Sequence, residues 1–257
     1  MAIRRLQIPI FKRSIVVTRH KARNKRNNSR SNNVVNIDDY KHTTKSRKKK
    51  VEIIPRNEAQ EDYIFAIEDY RIVFGVGPAG TGKTLLATLM AIRALKSGEV
   101  DKIVVTRPAV SVDEQHGFLP GNLIEKMAPW TRPIFDVFEE YYHPKQIVGM
   151  IEDGVIEVAP LAYMRGRTFK NSFIIFDEAQ NATISQMKMV LTRIGTGSKM
   201  VITGDLDQHD RGFESNGLKD FINRVNNSDS IDVVYFTESD IERDEVVADV
   251  LEIYGED

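Results

Sequence analysis

Residues Gly77 to Thr84 of this 257-residue chain read GPAGTGKT and fit the pattern G-x-x-x-x-G-K-[ST]. Its glycines, Gly77, Gly80 and Gly82, allow successive backbone amides to turn inward, and an anion can sit among them. Pro78, Ala79 and Thr81 complete the loop. The apolar run RIVFGV precedes it and the helical stretch LLATLMAIRAL follows, so the loop feeds a helix N-terminus whose partial positive charge adds to the cradle. Lys83 then reaches the β- and γ-phosphates of a nucleotide, and the Thr84 hydroxyl is a ligand for Mg²⁺. Four specified positions would match by chance in roughly 1% of chains this long, and the strand-to-helix setting makes chance rarer.

Further along, the apolar FIIF runs into DEAQ, Asp177 to Gln180. An aspartate at the carboxyl end of a buried strand can hold Mg²⁺ through water, and Glu178 next to it can activate or orient an attacking water. Together with the phosphate loop, this pair points to hydrolysis rather than binding alone. A third run, KMVIT, ends in GDLDQ, Gly204 to Gln208. If that strand neighbours the phosphate loop, Gln208 lies beside the γ-phosphate and positions the water; otherwise Asp205 starts a turn and Gln208 caps it. Upstream, Gln60 carries an amide suited to an adenine edge, unless Asn57 is merely a helix cap and Gln60 follows it.

The elements that must hold these residues follow from periodicity. RIVFGV, KIVVT, FIIFD, KMVITGD and DVVYF are short and apolar on both faces, as buried parallel strands are. Helical patterns occupy Lys83 to Lys96, Ile184 to Arg193, Gly217 to Arg224 and Ser239 to Tyr254, with a first helix after Arg56. Alternating strand and helix predicts a doubly wound, mostly parallel α/β sheet, a single P-loop core.

Charge divides the chain. Residues 1–50 hold sixteen Lys and Arg against two Asp and Glu, which leaves 20 basic and 35 acidic residues for 51–257. The expected organisation is a basic, low-complexity, disordered arm over 1–50 and one domain over 51–257. The arm either captures nucleic-acid phosphates or is a solvated tail. No apolar run approaches the ~18 residues that span a bilayer. Met1 to Lys12 lacks the apolar core of a secretory signal. There is no cysteine, hence no disulfide and no thiolate chemistry, and the expected compartment is the reducing cytoplasm. The five histidines are scattered and suggest no metal site.

Taken together, GPAGTGKTLLA, the run from Val104 to Trp130, APLAYMRGRTFKNSFIIFDEAQN, QMKMVLTRIG and the GDLDQ box resemble the PhoH family, relatives of superfamily 1 helicases built on a single RecA-like ATPase core. The resemblance spans Val51 to Tyr254. It implies ATP binding and hydrolysis with Mg²⁺, single-stranded RNA or DNA as partner, and in cellular members a tie to phosphate starvation; helicase activity is proposed for the family. By resemblance Gln60 is the adenine-reading glutamine, Lys83 and Thr84 the Walker A pair, Asp177 and Glu178 the Walker B pair, and Gln208 the motif III glutamine. Thr106-Arg107-Pro108 corresponds to motif Ia, which touches nucleic acid in related helicases; physically, Arg107 suits either a phosphate or a salt bridge. Arg165 and Arg167 either bind nucleic acid or pair with acidic surface. The loop from Val112 to Asn122 is a nucleic-acid or subunit contact, or a turn around Phe118 and Leu119.

About 200 residues make only one lobe of a two-lobed helicase, so the cation that completes the site must come from another chain, in a homo-oligomer that the family suggests is a ring of six. Arg243, flanked by Glu242 and Asp244, and Arg193 are the candidate arginine fingers. The expected activity is ATP hydrolysis coupled to binding or remodelling of single-stranded RNA or DNA. The alternative is a nucleotide-gated nucleic-acid-binding or scaffold protein without motor activity. A small-molecule kinase fits DEAQ and GDLDQ less well.

Overall fold

Each of the five apolar runs forms a strand; the first four are buried almost throughout, whereas DVVYF lies at the sheet edge, half-buried and with Tyr235 exposed. The structure, a computed structural model, describes residues 50–108, 123–208 and 216–242, with Val246 and Ile253; for 123–129 it describes the backbone alone. Residues 1–49 of the arm expected over 1–50, the loop expected over Val112 to Asn122 and Arg243 lie outside the described residues. In chain order the elements are α1 (Glu58–Asp69), β1 (Ile72–Val76), α2 (Lys83–Ser97), β2 (Lys102–Thr106), α3 (Leu123–Tyr141), α4 (Pro144–Glu152) and β3 (Ile156–Val158). They continue with α5 (Leu161–Met164), β4 (Ser172–Phe176), α6 (Ile184–Leu191), β5 (Lys199–Gly204), α7 (Gly217–Arg224) and β6 (Ile231–Tyr235). No helix among the described residues is long and apolar enough to cross a membrane.

The sheet runs β3-β2-β4-β5-β1-β6, with every described pairing parallel. Because successive side chains point to opposite faces, the central strands feed two cores. Val73, Ile103, Val105, Phe173, Ile175 and Val201 pack with Tyr63 and Ile67 of α1, Leu86 and Met90 of α2, and Ile134 and Phe138 of α3. Phe74, Val104, Ile174, Phe176 and Ile202 pack on the other face with Met187 and Val190 of α6 and Leu218 of α7. Each fully buried aliphatic or aromatic side chain contributes about 1.5–3 kcal/mol. The expected doubly wound α/β core is therefore the observed one.

Caps set the helix boundaries. Asn57 accepts from the Gln60 N–H at 2.9 Å to start α1. His143 with Gln146, and Thr183 with Gln186, form reciprocal capping boxes before α4 and α6. Gly98 ends α2 in the left-handed conformation. The helix expected from Ser239 does not begin there. Glu238–Asp240 is a 3₁₀ turn, and Ile241 at φ −70°, ψ 119° leaves helical space. Thr237 and Asp240 do carry a capping box, but the next N–H, that of Glu242, is drawn to the Gly80 carbonyl at 3.1 Å. A tertiary hydrogen bond to the phosphate loop overrides the local start signal. β3 was missing from the sequence reading: it has three residues with Glu157 in the middle, too short and too polar to stand out.

Candidate nucleotide site

All strands point the same way, so the loops that follow β1, β2, β4 and β5 gather at one end of the sheet, where ligands of open α/β folds bind. The phosphate loop leaves β1 through Gly77, at φ +149°, and a Cβ there would lie 2.3 Å from the Phe236 carbonyl oxygen. Only glycine fits. Gly80 and Gly82 hold φ near 85° and 84°, and α2 begins at Lys83. Thr81 is fully buried and donates to the Pro78 carbonyl at 3.0 Å, bracing the turn from inside.

Lys83 is 8% exposed. Its ammonium donates to the carbonyls of Gly77 at 2.7 Å and Pro78 at 2.5 Å and to the Thr81 hydroxyl at 3.0 Å. Burial lowers its pKa below the usual lysine value, opposed by the carboxylates of Asp205, Glu178 and Asp177. Neutral carbonyl partners hold it weakly compared with a phosphate, which would offer a charge-assisted bond.

Asp177, 5% exposed, leaves the end of β4 opposite the loop. Its Oδ1 accepts from Thr84 Oγ1 at 2.8 Å and from Thr203 Oγ1 at 2.5 Å. A hydroxyl and a carboxylate oxygen in contact are the hard donors that Mg²⁺ takes. Among the described residues no cluster of three His, Cys, Asp or Glu could hold a metal, so such a cation would draw its other ligands from water and phosphate oxygens. Glu178 adopts φ 53°, ψ 42°, a left-handed conformation that costs a non-glycine residue about 1–3 kcal/mol and is kept only where the surroundings impose it. Lys83, Thr84, Asp177, Glu178, Thr203, Asp205 and Gln208 line one cleft of about 490 Å³. A larger cleft of about 740 Å³ at the other end of the sheet includes Glu68, Arg71, Arg93 and Lys199. Its Arg93 pairs with Glu68, and its Arg71 and Lys199 are bonded to backbone carbonyls, whereas the smaller cleft carries the phosphate loop and both acidic strand ends.

The remaining sequence candidates are placed differently. Gln60 is buried beneath the loop, its Nε2 donating to the Thr81 carbonyl at 3.1 Å and its Oε1 accepting from the Arg56 N–H at 3.0 Å. It braces the cradle, and Asn57 is indeed the helix cap. Arg107 turns inward: its guanidinium lies 4.0 Å from Asp177 and 3.9 Å from Glu178 and donates to the Trp130 carbonyl at 3.1 Å. Arg167 forms a two-pronged pair with Glu157, which holds that carboxyl below the usual glutamate range, and its guanidinium lies over the Phe169 ring at 4.5 Å. Arg165 is exposed at the end of α5. Arg193 donates to the carbonyls of Met189 and Arg167 and to the Thr192 hydroxyl, at the amino end of β5 and so away from the loop. Its guanidinium is spent inside its own chain, which does not suit a finger for a neighbour.

Three participants had no assigned role in the sequence reading. Thr203 braces Asp177, Phe236 closes over Gly77, and Gln180 bridges Glu178 to Asp205. GDLDQ and DEAQ carried a hint in their polar residues at strand ends, but Phe236 has no local signal because its contact is to a segment 159 positions away.

Comparison with known proteins identifies the family. The family described as "PhoH-like protein" matches residues 52–255. A PhoH-like protein of Synechocystis sp. is 46% identical over 196 residues, 76% of this chain and 60% of that protein. Protein PhoH of Escherichia coli K12 is 43% identical over 207 residues, 79% of this chain and 58% of that one. The chain thus spans about 60% of the length of these relatives. Among solved structures, the UvsW helicase from bacteriophage T4 aligns over 72% of this chain and 61% of its own, at 16% identity and a TM-score of 0.41, too loose to carry an argument. On the match over residues 52–255 and the identity to these relatives, the chain belongs to the PhoH-like protein family.

Proposed function

We propose that residues 51–257 form an ATPase domain that couples hydrolysis to the binding or remodelling of single-stranded RNA or DNA in the cytoplasm. The observation that carries the reading is the contact of Thr84 with Asp177, which joins the phosphate loop to the acidic strand end inside one cleft. ATP is the substrate. The loop amides and Lys83 hold its phosphates, and Thr84 and Asp177 would hold a Mg²⁺ ion, whose charge offsets that building on the phosphate oxygens. Glu178 takes a proton from water as the water oxygen bonds to the γ-phosphorus. The bond from that phosphorus to the β–γ bridging oxygen breaks, and ADP leaves with the electron pair. Gln208, in the same cleft, orients the water. The arginine that completes the site comes from a second copy in a homo-oligomer, a ring of six, with Arg243 as the candidate.

The second reading, a nucleotide-gated nucleic-acid-binding or scaffold protein without motor activity, is favoured by one feature: Arg107 and Arg167 are engaged inside the chain. Turnover with and without single-stranded RNA or DNA at two salt concentrations separates the two. Stimulation that fades with salt supports the coupled ATPase; unstimulated hydrolysis supports the gated binder. In the same assay Glu178→Gln keeps ATP bound and lowers kcat by about 10²–10⁴-fold. Wild-type turnover in that variant would remove Glu178 from its role.

A further inference from the structure

Gln180, the last residue of DEAQ, bridges Glu178 and Asp205 from a buried position. Gln180 is 1% exposed, on the 3₁₀ turn Ala179–Asn181 directly after Glu178. Its Nε2 donates to Glu178 Oε2 at 2.6 Å, and its Oε1 accepts the backbone N–H of Asp205 at 3.2 Å. The amide therefore spans two strand ends, β4 with Glu178 and β5 with the GDLDQ loop. Space for it depends on Gly204, where a Cβ would stand 2.9 Å from Gln180 Oε1 and 2.6 Å from Leu218 Cδ2. The Gly204 carbonyl also accepts the Gly77 N–H at 3.1 Å, so this strand end fixes the phosphate loop as well. Beyond it, Asp205 Oδ1 accepts the Asp207 N–H at 3.0 Å and folds the loop that ends in Gln208.

We propose that Gln180 is a positioning residue for hydrolysis: it fixes the Glu178 carboxylate relative to the loop bearing Gln208, so that the two groups facing the attacking water move together. The proposal rests on the reading of Glu178 as the group that activates water. Its side-chain amide donates to a carboxylate at one end and accepts a backbone N–H at the other while remaining uncharged. Asparagine is a methylene short of the span. Glutamate keeps the acceptor for Asp205 but sets a second negative charge against Glu178. Glu178 has a further need of such a tether, since its left-handed backbone is not one that glutamate adopts by preference.

The test uses the purified full chain with Mg²⁺, measuring kcat and KM for ATP and the Kd of a fluorescent non-hydrolysable ATP analogue. Gln180→Glu lowers kcat by about 10–100-fold with Kd within about threefold, because the phosphate cradle is untouched while the base is misplaced. In a Glu178→Gln background the amide and carboxylate exchange places, and adding Gln180→Glu changes the residual rate less than about twofold, since a residue acting through Glu178 has nothing left to act on. Unchanged kcat in Gln180→Glu overturns the proposal. So does the same loss in both backgrounds, or a rise in KM alone, either of which marks a structural residue. Wild-type turnover in Glu178→Gln alone overturns the reading of Glu178 and the proposal with it, whereas loss there with none in Gln180→Glu overturns the proposal only.

Discussion

The two ends of the parallel sheet differ in how their cations meet acids. At the amino end, Arg71 donates to the carbonyls of Gly195 at 2.6 Å and Ser198 at 3.4 Å, Arg193 to those of Met189 and Arg167, and Lys199 to those of Ile67 and Glu68. These cations close loops and helix ends by adding donors to carbonyls there, those of Gly195 and Met189 being shared with the Ser198 N–H and the Thr192 hydroxyl. At the carboxyl end, Lys83 and Arg107 face Asp177, Glu178 and Asp205 around a cleft, and Arg107 stands 3.9–4.0 Å from its acids, beyond hydrogen-bond range. Cations at both ends donate to backbone carbonyls, Lys83 to those of Gly77 and Pro78 and Arg107 to that of Trp130. The difference lies in the acids: Glu68 is bonded to Arg93 at 2.6 Å at the amino end, whereas Asp177 and Glu178 stand off from Arg107 at the carboxyl end, where a phosphate would offer that guanidinium a closer partner. A cation's role here is set by what it touches, not by its residue type.

The largest break in this contrast is Lys83→Ala. Losing two charge-assisted contacts to phosphate weakens ATP binding by about 100-fold or more, read by titration of a fluorescent analogue, with little change in melting temperature. Next is Arg71→Ala at the opposite end. It removes the guanidinium bonds to the Gly195 and Ser198 carbonyls, leaving Gly195 with the Ser198 N–H alone, and lowers unfolding free energy by about 1–3 kcal/mol in urea denaturation, while Kd for ATP stays as in the wild type. A matching loss of affinity would mean that the two ends are coupled and the contrast false.

The smallest effect belongs to Arg167. It holds the Glu157 carboxyl below its ordinary range first through their hydrogen bond, with Lys102 adding to the shift. A carboxyl lowered on folding contributes stability above its unfolded value and loses it as pH falls through the folded value. The pair is partly exposed, so Arg167→Ala costs less than about 1 kcal/mol at neutral pH. That difference from wild type shrinks to nothing on acid titration below the ordinary glutamate range. A gap that persists in acid would mean the stacking over Phe169, not the ion pair, is what Arg167 supplies.

Much of this was legible in the chain itself. The phosphate loop is contiguous, and its chemistry depends on backbone conformations that glycine alone allows, so eight residues suffice to announce it. Strands buried on both faces announce themselves by unbroken apolar runs. What was not legible depended on partners far away. Arg107, Arg167 and Arg193 read alike as basic residues near strands, yet their partners come from 70, 10 and 26 positions distant, and each meets a different environment. Gln60 read as a base reader because its amide is two-sided, and the same two-sidedness lets it brace the loop.

By itself the sequence determined the cradle, the acidic strand end, the strand-helix alternation and the division between basic arm and acidic body, because each is a local matter of residue type, spacing or charge. Only the tertiary structure decided that β1 lies between β5 and β6, that Thr84 meets Asp177, and that Gln180 bridges two strand ends. Strand order is fixed by how the two apolar faces are covered, and hydrogen-bond partners by which strand ends that order brings together, neither of which is written in any short stretch of chain.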